Sequence, residues 1–330
     1  MSPSSPRISI GIPVYNGEKF LEACLESLLQ QTFTDFEVII SDNASTDATG
    51  QICQDYVQRD RRVHYYRNEA NLGPIENYRR VAELARGEYF KWQNYDDLCA
   101  PEFLAECLAV LEQDPEVVLC YSKMAIIDSQ GQILEHYDYR PQTDLKSTPQ
   151  RFLNLLCVDH HRHAAHEFFG VIRRSALLKI LPQGKYARSD SVMLVRAALF
   201  GRFYEVPDCL FFNREHENRS SRVTAITIRS STYVSKWLGI GPLPPTEWFD
   251  PSKQGKITMP EWNLVKQYWN SIWLPPLQVG DRLGCCLMLA YWLIQHLPKL
   301  IRDVLMAGEI HIKRWLTPPR SSRRSAQEAN

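Results

Sequence analysis

Two adjacent carboxylates, Asp96 and Asp97, stand at the end of an apolar stretch, in the run GEYFKWQNYDDL that begins at Gly87. Neighbouring side chains on an extended chain point in different directions, so one acid could hold a divalent cation while the other contacts a sugar hydroxyl. Hard cations such as Mg²⁺ take oxygen ligands, often one or two carboxylates together with substrate phosphates. The pair alone is more typical of an acidic turn, because Asp favours turns. Its meaning therefore depends on the elements that position it.

Strand and helix patterns alternate through the first part of the chain. Predicted strands cover residues 8–13, 36–40, 63–67, 89–93 and 117–127, and predicted helices cover residues 18–30, 47–59, 75–85 and 101–113. This alternation predicts an α/β fold with a mostly parallel sheet and helices on both faces. Ligands of such sheets bind beyond the carboxyl ends of the strands. We therefore expect Val14-Tyr15-Asn16, Ser41-Asp42-Asn43 and Asp96-Asp97 to meet along one edge.

The loops at that edge do not carry the common nucleotide motifs. The chain has no GxGxxG after its first strand and no GxxxxGK[ST], which argues against a dinucleotide dehydrogenase and a P-loop enzyme. The first strand runs instead into Pro13-Val14-Tyr15, a proline-set turn with a ring that could stack on a base. Asp42 and Asn43 are placed to hydrogen-bond a base or ribose, and Ser45 to Asp47 are more typical of a helix cap.

Five segments in order, within residues 8–131, resemble the family 2 glycosyltransferases of the GT-A fold. They are SIGIPVYNG, LESLLQQTFTDFEVIISDNASTD, NEANLG, ARGEY and YDD. The resemblance is weaker to about His216 and ends there. It implies a GT-A (Rossmann-like) domain over residues 8–218, with a nucleotide half (8–131) and an acceptor half (132–218). It also implies an inverting, nucleotide-sugar-dependent glycosyltransferase of cell-surface polysaccharide or glycolipid synthesis. A UDP-sugar donor and a glycan or lipid-linked glycan acceptor are expected.

The resemblance also implies residue roles. Pro13, Val14 and Tyr15 match the turn that holds the base, and Asp42, Asn43 and Asn77 match base-contacting positions, although many relatives have an acid where Asn43 stands. Asp96 resembles the acid that contacts the ribose or donor sugar, and Asp97 resembles the ligand of Mg²⁺ or Mn²⁺. His216 is a second candidate near the metal or diphosphate; a solvated charged loop explains it equally well.

An inverting displacement also needs a general base for the acceptor hydroxyl. Asp190, in the run YARSD, is the candidate, because relatives have an acid in a similar context and a helix is predicted to start there. An acid favoured by the helix dipole is the simpler alternative. The histidine-rich stretch 160–166 could suggest zinc, but acceptor contacts or a polar loop are the favoured interpretations.

Composition restricts the remaining possibilities. Lys+Arg and Asp+Glu balance at 38 each, so nothing indicates nucleic acid as a partner. The nine cysteines are scattered without a CxxC motif and the N-terminus lacks an apolar signal region, which predicts a cytoplasmic protein. Disorder is expected for residues 1–7 and for the basic tail 317–330.

Residues 219–316 are predicted to form a helical C-terminal extension. Its apolar, uncharged run 283–298 is shorter than the ~20 residues of a membrane span. With Lys, Arg and Trp nearby, it fits a helix on the cytoplasmic face of a membrane as well as one packed on the domain. Two other functions stay open: a sugar nucleotidyltransferase, and a sugar-nucleotide-binding protein that has lost catalysis.

Overall fold

The computed structural model describes residues 5–160, 162–217, 243–244 and 246–316. Most of the predicted disordered N-terminus, the start of the C-terminal extension and the tail 317–330 lie outside these residues. Disorder was predicted as far as residue 7, but Arg7 is held in place. Its guanidinium pairs with Glu88 and Glu112, and its N–H donates to the carbonyl of Asp35.

Nine strands form one sheet in the order β3-β2-β1-β4-β8-β6-β9-β5, with β7 beside β6. Six strands run in one direction and β5, β7 and β8 run in the other, so the predicted mostly parallel sheet is confirmed. The strands are β1 (Ile8–Val14), β2 (Phe36–Asp42), β3 (Val63–Arg67), β4 (Tyr89–Trp92), β5 (Leu98–Cys99), β6 (Val117–Ile127), β7 (Ile133–Tyr137), β8 (Val171–Arg173) and β9 (Arg202–Arg214).

Helices cover both faces of the sheet, as predicted, and each face has its own hydrophobic core. Helices α1, α2 and α4 contribute to one core, and α3, α5, α6, α7, α8 and α9 contribute to the other. Their bounds are α1 (Leu21–Leu29), α2 (Thr49–Arg59), α3 (Pro74–Leu84), α4 (Phe103–Gln113), α5 (Thr148–Leu156), α6 (Arg174–Ile180), α7 (Ser189–Phe200), α8 (Pro260–Ile272) and α9 (Val279–Leu316); one further helical turn is Thr246–Phe249.

The central strands β1 and β2 are buried along their whole length. Strands covered by helices on both faces are apolar without alternation, which explains their sequences. Val14 pairs with Asp42 and Gly11 pairs with Trp92, so β4 ends three residues earlier than β1 in the register. The chain that follows β4 therefore passes beside the loop that follows β1.

In the acceptor half the sequence also predicts strands over residues 168–172 and 209–212, and both differ from the structure. The predicted strand 168–172 is a 3-10 turn, His166–Phe169, followed by the short antiparallel strand β8, and the predicted strand 209–212 is the end of the thirteen-residue β9. Gly170 lies between the 3-10 turn and β8, and a Cβ there would lie 2.5 Å from the carbonyl oxygen of Cys120. The chain therefore approaches β6 closely at a residue without a side chain.

The C-terminal extension is helical, and its last helix is much longer than the apolar run that predicted it. Helix α9 has 38 residues with Pro298 inside it. Of the described residues, the stretch Val279–Lys313 is long and apolar enough to cross a membrane by length and composition. Its inner face packs on the domain: the indole nitrogen of Trp292 donates to the carbonyl of Leu156 at 2.8 Å.

Candidate active site

The loop after β1 is locked to the loop after β2. Asn16 has a left-handed backbone (φ 51°), and its N–H donates to the hydroxyl of Ser45 while its side-chain oxygen accepts from the N–H of Thr46. The N–H of Gly17 donates to the hydroxyl of Thr49. Ser45 and Thr46, for which the sequence favours a helix cap, therefore brace the first loop instead. This bracing leaves the ring of Tyr15 at the surface, 43% exposed.

A cleft of about 640 Å³ opens at this edge of the sheet, within the size range of small-molecule sites. It is lined by polar side chains from both halves of the domain. Seven predicted site residues lie in its wall: Pro13, Val14, Tyr15, Asn43, Asn77, Asp96 and Asp190. Three do not, and these are Asp42, Asp97 and His216.

Asp42 is buried behind the cleft, and its carboxylate has several partners. One oxygen accepts from the N–H of Ser45, and the other accepts from the hydroxyl of Tyr65 and from Arg67, each at 2.7 Å. Burial, together with this hydrogen bond, raises the pKa of Tyr65 to about 12. The contact with a base that was predicted for Asp42 would require these bonds to be exchanged. In this structure Asp42 holds the second loop in place.

The two predicted amides, Asn43 and Asn77, line the cleft, but their polar atoms are engaged. Asn43 accepts from the N–H of Leu72 at 2.9 Å and donates to the side chain of Asn71 at 2.8 Å. Asn77 donates to the carbonyl of Ser41 and accepts from its hydroxyl. Both amides therefore build the floor of the cleft. Asn71 is more exposed, and among the described residues nothing accepts from its amide nitrogen, which leaves that donor for a ligand.

Asp97 lies beneath the cleft and is 1% exposed. Its carboxylate accepts from the side chains of Asn213 (3.0 Å) and Asn94 (2.9 Å) and from the N–H of Arg214 (2.9 Å). These bonds fasten the loop after β4 to the end of β9. The predicted metal ligand is thus placed away from the cleft, because the bend of the loop turns this side chain inward.

Asp96, the neighbouring acid, faces the cleft and takes the position expected of Asp97. Its Oδ2 lies 2.9 Å from Nε2 of His216, and the ring of His216 packs against Phe20 with centroids 4.8 Å apart. Arg214 donates to the carbonyl of Asp96 and fixes the backbone there. The structure therefore brings two predicted residues, Asp96 and His216, into contact.

A divalent cation fits this pair only with help from a ligand. Among the described residues no group of three or more His, Cys, Asp or Glu side chains could hold a metal. Asp96 and His216 alone supply one carboxylate and one imidazole. This is the pattern of sites in which Mg²⁺ or Mn²⁺ binds through few protein groups and is completed by substrate phosphates.

Asp190 lies in the first turn of α7 and lines the cleft. One carboxylate oxygen accepts from the N–H of Ser191, the next residue. Tyr78 lines the same cleft: burial raises its pKa, and the charges of Asp96, Asp97 and Asp190 act in the same direction. The carboxylates of the two predicted halves therefore face one cleft.

The histidine-rich stretch contributes Ala164 and Ala165 to the cleft, and two of its described histidines contact neighbouring side chains. His163 lies 3.0 Å from both carboxylate oxygens of Glu167, and both side chains are buried. Burial lowers the pKa of His163, but the hydrogen bond to Glu167 outweighs it and the pKa is raised. His166 is enclosed by the rings of Tyr121 and Tyr137. His161 lies outside the described residues.

Several cleft residues were given no role by the sequence analysis. They are Asn71, Tyr78, Asn94, Gln183, Arg188 and Phe249. Arg188 could have been found, because it lies two residues before the candidate base; its backbone is left-handed (φ 64°) where α7 begins. Phe249 could not have been found from the sequence, because only the folding of the C-terminal extension brings it to the cleft.

The fold and the cleft together define an α/β protein of the GT-A type, with acidic residues beyond the carboxyl ends of parallel strands. The chain belongs to the family described as "Glycosyl transferase family 2", whose model matches residues 9–181, more than half of the 330 residues. The predicted family is confirmed, and the class of enzyme, a transferase of sugars, follows from it. Asp190 and His216 lie beyond the matched segment.

Known proteins resemble parts of this chain. An uncharacterized glycosyltransferase of Methanocaldococcus jannaschii is 31% identical over 134 residues, 40% of this chain and 46% of that protein. Chondroitin synthase of Escherichia coli is 34% identical over 131 residues, 40% of this chain and 19% of that protein. The match thus spans less than half of the length of either relative.

Solved structures resemble the chain over more of its length. S. aureus TarS 1-349, in complex with UDP-GlcNAc, has 18% sequence identity and a TM-score of 0.53, and the match covers 93% of this chain and 92% of that one. At this identity the likeness concerns the fold. It extends beyond the matched segment into the C-terminal helices.

Proposed function

We propose that this protein transfers a sugar, with inversion, from a nucleotide-sugar donor to an acceptor hydroxyl in polysaccharide or glycolipid synthesis. The observation that carries this proposal is that Tyr15, Asn71, Asp96 and Asp190 all line one cleft. A base can stack on an aromatic ring and hydrogen-bond to an amide. A metal-bound diphosphate needs a carboxylate that holds the cation, and the attacking hydroxyl needs a general base.

The nucleotide half of the cleft suits a base and a ribose. Stacking on an aromatic ring is worth about 1–3 kcal/mol for a base, and Tyr15 is exposed at the cleft. The free amide nitrogen of Asn71 can donate to a carbonyl of a pyrimidine. We favour a UDP-sugar, and UDP-GlcNAc is the first donor to try because TarS, a protein of the same fold, binds it.

Asp96 and His216 are the residues that we assign to the divalent cation, Mg²⁺ or Mn²⁺. When bound, the cation supplies a Lewis acid that offsets the charge of the departing diphosphate. The buried contact between His216 and Phe20 limits the movement of the imidazole and keeps it beside Asp96. Asp97 supports the loop from below.

Asp190 is the group that we assign to the acceptor. Its carboxylate can take the proton of the attacking hydroxyl, and general-base catalysis of this kind contributes about 10²–10⁴-fold. Arg188 lies beside it in the wall, and among the described residues its guanidinium has no carboxylate partner. An anionic group on the acceptor or the donor would find a counter-charge there.

Release of the nucleoside diphosphate from a panel of nucleotide sugars tests this proposal. With Mn²⁺ and no added acceptor, slow transfer to water is expected for one donor, and it should fall by about 10²–10⁴-fold in Asp190→Asn. Asp138→Asn is the matched control, because the side chain of Asp138 is 90% exposed and outside the cleft. Donor binding without turnover in the parental chain would favour the binding protein, and retention at the anomeric carbon would reject direct displacement.

A further inference from the structure

The outward face of α9 is apolar over most of its length. Its exposed side chains recur every three or four residues, so they form one stripe along the helix. We define the outer stripe as Leu283, Leu287, Tyr291, Ile294, Leu297, Ile301, Val304 and Leu305, which are 48–72% exposed. Monomeric soluble proteins rarely expose apolar patches of this extent, and such patches mark contact surfaces.

Two of the three charged residues between residues 283 and 305 face inward, and the third, Lys299, is half-buried. Arg302 is 0% exposed and pairs with Glu261 of α8 at 3.0 Å. Asp303 is also buried and accepts from the backbone N–H of Glu261 at 2.7 Å. A surface helix of a water-soluble domain has the opposite arrangement, with charges outside and apolar side chains inside. Water is therefore not the medium to which this face is adapted.

The inner face of α9 is attached to the domain over the same stretch. Gly284 packs so closely on Pro149 of α5 that a Cβ would lie 2.6 Å from it. Further along, the indole of Trp262 in α8 donates to the carbonyl of Leu300. A span needs about 20 residues, roughly 30 Å of helix, free of such polar attachments. Residues 284–303 could not enter the hydrocarbon core without α5 and α8, so α9 does not cross the bilayer in this fold.

Basic residues and one tryptophan follow the outer stripe. Lys313, which pairs with Glu309 at 2.6 Å, is 61% exposed, and Trp315 is 80% exposed. The sequence continues with Arg314, Arg320, Arg323 and Arg324, and it has no acid between residues 310 and 326. Basic residues beside an apolar face and an interfacial tryptophan are typical of helices that lie on anionic membranes.

We propose that the outer stripe binds the surface of an anionic lipid bilayer, with α9 parallel to the membrane plane. A second copy of the chain would cover the stripe but would not match its charge. Of the three acids of α9, Asp281 lies at the far end, Asp303 is buried and Glu309 pairs with Lys313, so they do not balance the basic run that follows. Anionic headgroups match both features. The nine cysteines are free thiols, which supports the cytoplasmic face.

Flotation of the full-length chain with lipid vesicles tests this proposal. We expect it to float with vesicles that contain anionic lipid, less with zwitterionic vesicles, and less in high salt because each basic residue loses attraction as salt screens it. The variant Leu287→Glu/Ile294→Glu/Ile301→Glu should partition more than tenfold less. The matched control is Ile133→Glu/Leu134→Glu/Leu178→Glu, three side chains of similar exposure outside α9.

The results distinguish a lipid bilayer from a second copy of the chain as the partner of the outer stripe. Flotation of the parental chain and the control, but not of the stripe variant, supports the proposal. A parental chain that stays at the bottom with anionic vesicles, or a dimer in solution that the stripe variant converts to a monomer, overturns it. Resistance of the bound chain to carbonate extraction would overturn the parallel orientation. Binding of UDP by the stripe variant, measured separately, shows that its domain is folded. Flotation does not depend on sugar transfer, so this inference can fail or hold independently of the proposed function.

Discussion

The two acids of the Asp96-Asp97 pair should respond differently to exchange for asparagine. Asp97→Asn should mainly lower stability, and Asp96→Asn should mainly weaken nucleotide binding. In Asp97→Asn, one oxygen can still accept from Asn213 and Arg214, but the new amide nitrogen then faces the amide of Asn94. A buried donor left without an acceptor costs about 1–3 kcal/mol, and the lost charge weakens the remaining bonds. We expect Asp97→Asn to lower the free energy of unfolding by about 2–4 kcal/mol.

Asp96→Asn should change stability by less than about 1 kcal/mol, because Asp96 lies in the cleft wall and its carboxylate contacts His216. Its effect should be on the ligand: the metal-dependent part of nucleotide binding should weaken at least tenfold, or about 1.4 kcal/mol. The assay is urea unfolding of both variants together with titration of UDP in Mn²⁺ and in EDTA. If Asp97→Asn stays as stable as the parent and alone loses metal-dependent binding, our assignment is reversed.

Three further predictions concern other parts of the domain. Asp190→Asn should bind UDP with parental affinity while donor turnover falls by about 10²–10⁴-fold; unchanged turnover would remove it from the mechanism. Tyr15→Ala should weaken UDP binding by about 1–3 kcal/mol in titration, whereas Tyr66→Ala, exposed on β3, should not; equal effects would argue against stacking. The raised pKa of His163 stabilises the fold below the unfolded value near 6.5 and loses this effect as pH rises through the folded pKa. Glu167→Gln should therefore flatten the fall in stability as pH rises above about 6.5, and an unchanged urea-unfolding profile would contradict this.

The parallel part of the fold was predictable because its strands are continuous apolar runs between strong helix patterns. Strands β3 and β6 match their predicted bounds, and β1, β2 and β4 differ by one or two residues at an end. The antiparallel strands β5, β7 and β8 could not be predicted in this way. They have two to five residues. Strands β5 and β8 pair with β9 and β6, which lie far away in the sequence, whereas β7 pairs with β6 across a short turn.

The site was predictable as a set of residues but less so as a set of contacts. Adjacent acids on a loop point in different directions, but the sequence does not say which one faces the ligand; bonds from Asn213 and Arg214, over a hundred residues away, decide that Asp97 turns inward. The contacts of Asp42 were not predictable either, because Arg67 donates to its carboxylate from another strand. The outer stripe shows a third case: whether an apolar residue of α9 faces the domain or the outside depends on where α5 and α8 pack.

Isothermal titration with UDP tests the central claim, a metal-dependent nucleotide site in the cleft, most directly. UDP should bind the parental chain in Mn²⁺ and bind at least tenfold more weakly in EDTA. Asp96→Asn should bind equally weakly in both, and Asp190→Asn should behave like the parent. Absence of binding by UDP and by other nucleoside diphosphates, or binding that is the same in Mn²⁺ and in EDTA, would contradict the account.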